Sequence, residues 1–251
     1  MQLLTLITAA CADPIVRTLP ASVDTIHLDI PRSELVIRYD DAALRTTLTV
    51  LTHTWWPGCA LMLTGDHDAV SARIVHDSGL AGLACHSPVT LVLAGDSVLQ
   101  VHLAAGDITT AATPGHQELH VGTGQVHGVM SEGIIRVAQG RVDLSHLHAP
   151  LDVHIQVGHI QLTYDTPPSG AITARADMGS VTVTLPAASP VSPQVYTSIG
   201  KQEQQFPAGD GAMVWVESRL GHARLLAAQG ERSGHDDPGA PQRPSGRQDA
   251  P

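Results

Sequence analysis

Apolar and polar residues alternate with a period of two along much of the chain, and this pattern predicts β-strands that bury one face. The alternation recurs around glycines that stand 18, 16, 18, 21, 21 and 21 residues apart. Each unit reads apolar, polar, apolar, two free positions, Gly, polar, apolar, polar, apolar, as in VHIQVGHIQL. The glycines are Gly106, Gly124, Gly140, Gly158, Gly179, Gly200 and Gly221.

All of these units except that of Gly200 follow the pattern closely. Their four inward positions give 24 sites, of which 21 are apolar, and the exceptions are Thr110, Gly128 and Ser218. Their three alternating positions give 18 sites, and all of them are polar. A helical period of 3.6 residues would not produce this alternation.

The repeat predicts the fold. A unit of two short strands joined at a glycine cannot bury its apolar face alone, whereas stacked units bury it together. We therefore expect an all-β chain that forms a single-stranded parallel β-solenoid of roughly ten short coils. An antiparallel β-sandwich is the alternative, but the even spacing and the lack of Asn-Gly hairpin signals favour the solenoid.

The expected organisation is an N-terminal strand or cap over residues 1–25, a solenoid repeat domain over 26–228 and a tail over 229–251. The tail is rich in Gly, Pro and Ser, keeps no apolar period and is predicted to be disordered. The opening segment MQLLTLITAACADP has no basic residue before its apolar stretch, so we interpret it as a strand or cap rather than an export signal.

Three parts of the repeat domain need separate treatment. The segment LDIPRSELVIRY follows the register, with Ser33 in the glycine position. Residues 44–85 fit poorly, and their Trp55-Trp56 pair is expected to cap one end rather than to form an exposed patch. The unit of Gly200 places Gln202 and Gln204 where apolar residues belong. Burying two amides is costly, so this strand should be distorted or exposed.

Composition narrows the class of protein. Only 3% of residues are aromatic, so the core must consist of Val, Ile, Leu and Ala. The formal net charge of −10 argues against nucleic-acid binding, and no apolar run is long enough for a transmembrane helix. The three cysteines, Cys11, Cys59 and Cys85, form no CxxC motif and are expected to be isolated buried thiols. A Cys59–Cys85 bridge would require export, and a soluble cytoplasmic location is favoured over an exported or envelope-associated one.

The segment GSVTVTLP at 179–186, which follows repeated Gly-x-(Ile/Val) strands, resembles the bacterial candidate-adhesin family. This family is a domain of unknown function that contains β-strand repeats. The resemblance covers residues 86–226 well and 26–39 moderately. It implies a solenoid repeat protein, in some members linked to the cell envelope. Its motifs are structural, so they imply a shape and no chemistry.

Histidine is the one residue in excess, with 15 copies. In the solenoid register, one outward column consists of His102, His120, Arg136, His154 and Arg175. His102 and His120 are weak candidates for a shared metal site, although a row of solvated polar residues is the simpler interpretation. With protonated histidines, the same column would form a positive stripe that could bind anions.

Two enzymatic or metal-binding alternatives remain open. The spacing of Gly140, His146, His148, Asp152 and Gly158 resembles the first metal motif of cupins, and this resemblance would make the two histidines and Asp152 ligands. It departs from the motif in having Asp for Glu and one residue too few before the final Gly. A sugar-cleaving β-helix enzyme would instead need clustered carboxylates, and the densest acidic segment is 66–77.

We therefore expect a non-enzymatic binding or scaffold domain of adhesin-like type. We expect no cofactor, no nucleic-acid partner and a protein, peptide or glycan ligand. A cupin-like or surface-histidine metal protein or enzyme is the alternative.

Overall fold

The computed structural model describes residues 5–8, 14–20, 23–52, 55–79 and 84–228. Cys11 and the predicted disordered tail, 229–251, lie outside the described residues. The elements are strands that join in one 15-stranded sheet, and the described residues include no helix able to cross a membrane. The strands are β1 Thr5–Thr8, β2 Ile15–Thr18, β3 Thr25–Tyr39, β4 Thr47–Val50, β5 Cys59–Gly65, β6 Ala69–His76, β7 Val89–Leu93, β8 Val98–Thr110, β9 Gln117–Gly128, β10 Gly133–Leu147, β11 Leu151–Tyr164, β12 Ile172–Leu185, β13 Val191–Ile199, β14 Gln202–Gln204 and β15 Ala212–Ala227.

Long parallel strands form the body of the sheet, as the repeat predicts. β3 pairs with β8, and β8 to β12 then pair in chain order, each neighbour parallel to the last. Val126, Val142 and Ile160 are register partners on three of these strands, and all three are buried. The prediction of an all-β chain with parallel strands is confirmed, whereas the closed coils of a solenoid stay a prediction.

The repeat glycines lie side by side where the alternation of buried residues changes phase. Gly124, Gly140 and Gly158 are register partners, with φ angles of 150°, 148° and 143°. A Cβ on Gly140 would lie 1.7 Å from the carbonyl oxygen of Gly124. Glycine alone combines this conformation with such a close approach. Each long strand therefore has a first arm before its glycine and a second arm after it.

Two of the polar exceptions at inward positions are buried and hydrogen-bonded. The hydroxyl of Thr110 donates to Oε1 of Gln117 over 3.0 Å. The hydroxyl of Ser218 donates to the carbonyl oxygen of Gly179 over 2.9 Å. Because both groups have partners, they leave the apolar layers of the core intact.

Residues 44–85 form antiparallel strands instead of further repeats. β4 pairs antiparallel with β2 and β7, and β5 pairs antiparallel with β1 and β6. β6 and β7 then join the first and second arms of β3. The roughly ten coils stay a prediction, and in this segment antiparallel pairs replace the glycine-marked units. Strand β1, Thr5–Thr8, lies in the opening segment.

A disulfide joins Cys59, at the start of β5, to Cys85, just before β7. The prediction that these cysteines are isolated thiols is therefore wrong. Sequence spacing could not reveal the pair because 26 residues separate the two cysteines. The hairpin of β5 and β6 brings them together.

The two adjacent tryptophans do not share one environment. Trp55 is only 7% exposed and packs in the core, whereas Trp56 is 64% exposed. The burial that the cap interpretation requires is therefore found for Trp55 alone, and Trp56 is exposed as in the alternative. The capping role itself stays a prediction.

The last strands do not follow chain order. β15 lies between β12 and β13, so the unit of Gly200 forms the outermost layer. All three residues of β14 are exposed, which confirms the prediction for Gln202 and Gln204. Their amides are nevertheless satisfied, because Gln202 donates to the carbonyl of Val195 over 2.6 Å and Gln204 to that of Phe206 over 2.9 Å. These bonds occupy carbonyl groups at the end of the sheet.

Candidate functional site

A row of polar side chains crosses the first arms of the long strands. Adjacent strands lie about 4.8 Å apart, so register partners on one face are in reach of each other. The row consists of Arg73, Asp29, His102, His120, Arg136, His154, Arg175 and Glu217. The structure therefore brings together all five residues of the expected column, while their role in binding stays a prediction.

Two histidines of the row stack on each other. The rings of His102 and His120 have centroids 4.7 Å apart and planes inclined by 7°. Nε2 of His120 lies 2.9 Å from Oε1 of Glu118. This hydrogen bond stabilises the ionised carboxylate and holds the pKa of Glu118 below its usual value.

Arg136 and His154, the next residues of the row, also have carboxylate partners. Arg136 donates to Oδ2 of Asp152 over 2.5 Å and to the Asp152 carbonyl oxygen over 3.1 Å. Nε2 of His154 lies 3.4 Å from Oδ2 of Asp177. Each of these acids stands on the strand that follows its partner, so the pairs tie adjacent strands together.

The last part of the row forms a denser charged cluster around Trp215. The guanidinium carbon of Arg175 lies 5.3 Å from the Trp215 ring centroid, and its Nε lies 3.8 Å from Glu217. The indole N–H of Trp215 donates to Glu217 over 3.1 Å. Arg219 lies 3.5 Å from Asp177 and 3.9 Å from Glu217.

This pairing changes the anion-binding hypothesis for the column. His120, Arg136, His154 and Arg175 each have a carboxylate within contact distance. The row is thus a charge-balanced surface rather than an uncompensated positive stripe. Exposed pairs of this kind contribute little to stability, so their main effect is on the local charge pattern.

A groove of about 420 Å³ runs beside the row, and we call it the histidine groove. The space exists because the next outward positions on β8, β9 and β10 carry at most a methyl group. His102, His120, Arg136 and His154 line one side, and Ala104, Gly122 and Ala138 line the base, together with Asp29 and Gln156. A second groove of about 370 Å³, the charged groove, shares Arg136 and His154 and continues past Arg175 to Arg219.

The stacking of the histidine pair disfavours a shared metal site. Rings that stack face to face do not direct their in-plane nitrogens to one point, and His120 already contacts Glu118. Among the described residues, no three or more His, Cys, Asp or Glu side chains are placed to hold a metal ion. A metal role for His102 and His120 stays a prediction without a third ligand.

The cupin-like residues are also dispersed. His146 lies near the end of β10, where its Nδ1 is 2.6 Å from Asp165, and His148 lies in the loop that follows. Asp152, in β11, binds Arg136. The flanking Gly140 and Gly158 are register partners in a parallel pair and not parts of a metal-binding hairpin.

The acidic segment 66–77 is divided between two ends of one strand. Asp66 lies in the turn before β6, where the backbone N–H groups of Asp68 and Ala69 hold its pKa below the usual value. His76 and Asp77 lie at the far end of β6, and their side chains are 3.0 Å apart. The segment therefore supplies no carboxylate cluster.

The sequence analysis missed the acids that pair with the column. Asp29 and Glu217 occupy the column position itself, on β3 and β15. Glu118 and Asp152 stand two residues before that position, on β9 and β11. Aligning the repeat units would have placed these acids beside the histidines, but it would not have shown which side chains pair.

The sequence matches no family model and no curated protein. Similar solved structures include a candidate cell adhesion protein from Clostridium sporogenes, with 9% identity and a TM-score of 0.32 over 86% of this chain and 99% of that one. A candidate adhesin from Bacteroides fragilis has 9% identity and a TM-score of 0.38 over 86% and 97%. A candidate lipid-binding protein from Parabacteroides distasonis has 14% identity and a TM-score of 0.27 over 86% and 97%. At these scores, the likenesses do not decide the fold or the function of this chain.

Proposed function

We propose that this protein is a non-enzymatic binding domain that holds an elongated polar ligand in the histidine groove. One observation carries the proposal: four column residues line a single groove of about 420 Å³, on four successive strands. Ligand sites are concave and use a small number of convergent polar groups to orient the ligand, and the groove shares these two features. The ligand would lie across the strands and meet one polar side chain about every 4.8 Å.

The groove favours recognition through side chains. Each strand beneath it, from β8 to β11, pairs with a neighbour on both sides. A peptide therefore cannot add to this part of the sheet as a further strand. Imidazole, guanidinium, carboxamide and carboxylate groups are left to recognise the ligand, which suits the repeating polar groups of a glycan or an extended peptide.

The groove also favours binding over catalysis. The described residues that line it include a single carboxylate, Asp29, and this group lies 2.9 Å from Nε of Arg73. Glycoside cleavage by the common mechanism needs two carboxylates across the scissile bond. The same lining residues include no serine, threonine, cysteine or lysine to act as a covalent nucleophile.

We also propose that the units wind as a solenoid of adhesin-like type. The inward-facing residues of the first and second arms belong to one hydrophobic core. Leu103 and Ile108, on the two arms of β8, are examples. Stacked glycines and common register between β8 and β12 support the same view. An elongated repeat surface of this kind suits a binding or scaffold role.

For location, we propose export to an oxidising compartment, with an envelope-associated role. The Cys59–Cys85 disulfide supports this over the cytoplasmic location that the N-terminal sequence favours, because cytosolic reductants keep most thiols reduced. Thiol alkylation of the protein in its native cells would test it. Cys59 and Cys85 should not react with the alkylating reagent, because they are joined in a disulfide. Alkylation of both thiols would contradict export.

Glycan and peptide arrays test the binding proposal. Wild-type protein should bind members of one array class, and His120→Ala with Arg136→Ala should abolish most of that signal. His159→Ala is the matched control, because His159 is an exposed histidine on the second arm and lies outside the groove. Equal binding by the groove variant and the control, with both folded, would overturn the proposal.

A further inference from the structure

Four large apolar side chains lie exposed in a row at the C-terminal end of the sheet. Val157, Met178, Leu220 and Ile199 are register partners on β11, β12, β15 and β13. Their exposed fractions are 40%, 49%, 45% and 68%. We call this row the apolar ridge. Contiguous exposed apolar groups of this kind mark interaction surfaces.

The fold does not require apolar residues at this position. Each ridge residue directly precedes a repeat glycine, and the same register row continues towards β3. On those strands the position is held by Gln139, Thr123, Ala105 and Arg32. Because the row accepts polar and charged residues on other strands, the large apolar side chains of the ridge need an explanation other than packing within the chain.

The charges beside the ridge have a specific order. Asp177 and Arg219 precede Met178 and Leu220 on the neighbouring strands β12 and β15. Two residues before them stand Arg175 on β12 and Glu217 on β15. At this level β12 carries the base and β15 the acid, whereas at the level of Asp177 and Arg219 the charges are reversed. Exchanging β12 with β15 therefore exchanges acid for base at both positions. The surface is complementary to a copy of itself that is turned over about an axis parallel to the strands.

We propose that the apolar ridge and the adjoining charged groove form the contact of a symmetric dimer. The twofold axis would cross the ridge between β12 and β15, in the plane of the contact and parallel to the strands. Met178 would then face the partner's Leu220, and Val157 would face the partner's Ile199. Asp177 would face the partner's Arg219, and Arg175 the partner's Glu217.

This arrangement has the symmetry and the distribution of apolar and charged groups that a dimer contact requires. A twofold contact uses the same patch on both subunits, so the patch must be self-complementary. Specific interfaces bury about 1,200–2,000 Å² in total, with an apolar centre and a polar rim. The ridge supplies the centre and the charged groove supplies the rim. The histidine groove extends away from the contact as far as β8, but it shares Arg136 and His154 with the charged groove, so the dimer contact would border the proposed ligand site.

Sedimentation equilibrium of the full chain tests the contact. The wild type should be a dimer that dissociates on dilution, and Met178→Asp should be monomeric at every concentration. Thr123→Asp is the matched control, since it puts a charge in the same row on β9, away from the ridge, and it should leave the dimer intact. A monomeric wild type, or a dimer that survives Met178→Asp, would overturn the proposal.

A mixing experiment tests the orientation. Asp177→Arg and Arg219→Asp each place like charges across the contact, so each variant alone should be monomeric. Mixed in equal amounts, the two should form a heterodimer, because the arginine introduced in one variant would face the aspartate introduced in the other. Thermal unfolding confirms that each variant is folded. Folded variants that stay monomeric when mixed would exclude this orientation.

Discussion

At the scale of single residues, the glycine row constrains the chain most tightly. Gly140→Ala should lower the free energy of unfolding by about 3 kcal/mol, because its φ is 148° and a Cβ would meet the carbonyl of Gly124 at 1.7 Å. Urea unfolding would measure the change. Gly95→Ala is the control, since an added Cβ there meets nothing within 4 Å. Similar stabilities for the two variants would contradict the close stacking of the row.

The register of buried and exposed positions leads to a second prediction. Val142→Asp should cost about 4 kcal/mol or more, because it places an unpaired charge in a fully buried position between Val126 and Ile160. His154→Ala should cost under about 1 kcal/mol, since His154 and its partner Asp177 are both partly solvated. Equal losses in chemical denaturation would mean that the inward and outward faces are assigned wrongly.

At this scale the sequence was informative about positions and less so about partners. Period-two alternation with a glycine marker was sufficient to place His102, His120 and Arg136 in one row, because stacked repeats share a register. It did not reveal that His102 and His120 would stack face to face. It also did not reveal that Glu118 would bind His120. Such pairings depend on side-chain rotamers, which an alternation pattern does not specify.

At the scale of elements, the same alternation has two outcomes. β8 to β12 lie parallel, whereas β4, β5 and β6 make antiparallel pairs. A strand with one buried face looks alike in both arrangements. In the sequence, only the regular glycine spacing distinguishes the parallel strands from the antiparallel ones, and residues 44–85 lack that spacing. The order of β12, β15 and β13 was equally hidden, because the Gly200 unit keeps the 21-residue step of its neighbours.

The disulfide joins the start of β5 to the segment that leads into β7, within the antiparallel end of the sheet. Replacing Cys59 and Cys85 by Ser should lower the free energy of unfolding by about 3 kcal/mol, because the bridge closes a loop spanning 26 residues. Thermal unfolding with and without reductant would measure it. The reduced wild type should match the double variant, and a reductant effect on the double variant itself would contradict this assignment.

At the scale of the whole molecule, the charge depends strongly on mild acidification. Protonating all 15 histidines would change the formal net charge from −10 to +5. Electrophoresis should therefore show migration towards the anode at about pH 8 and towards the cathode at about pH 5. An unchanged direction of migration would mean that the histidines do not titrate as a group in this range.

The position of β13 outside β15 affects how the chain is made. Residues 191–199 leave the ribosome before 212–227, yet among the described strands β13 pairs with β15 and not with β12. The hydrogen-bonding partner of this segment therefore does not exist when it emerges. Residues 191–199 therefore stay unpaired in the nascent chain until β15 has been synthesised. Translation has to pass residue 227 before β13 and β15 can pair in full.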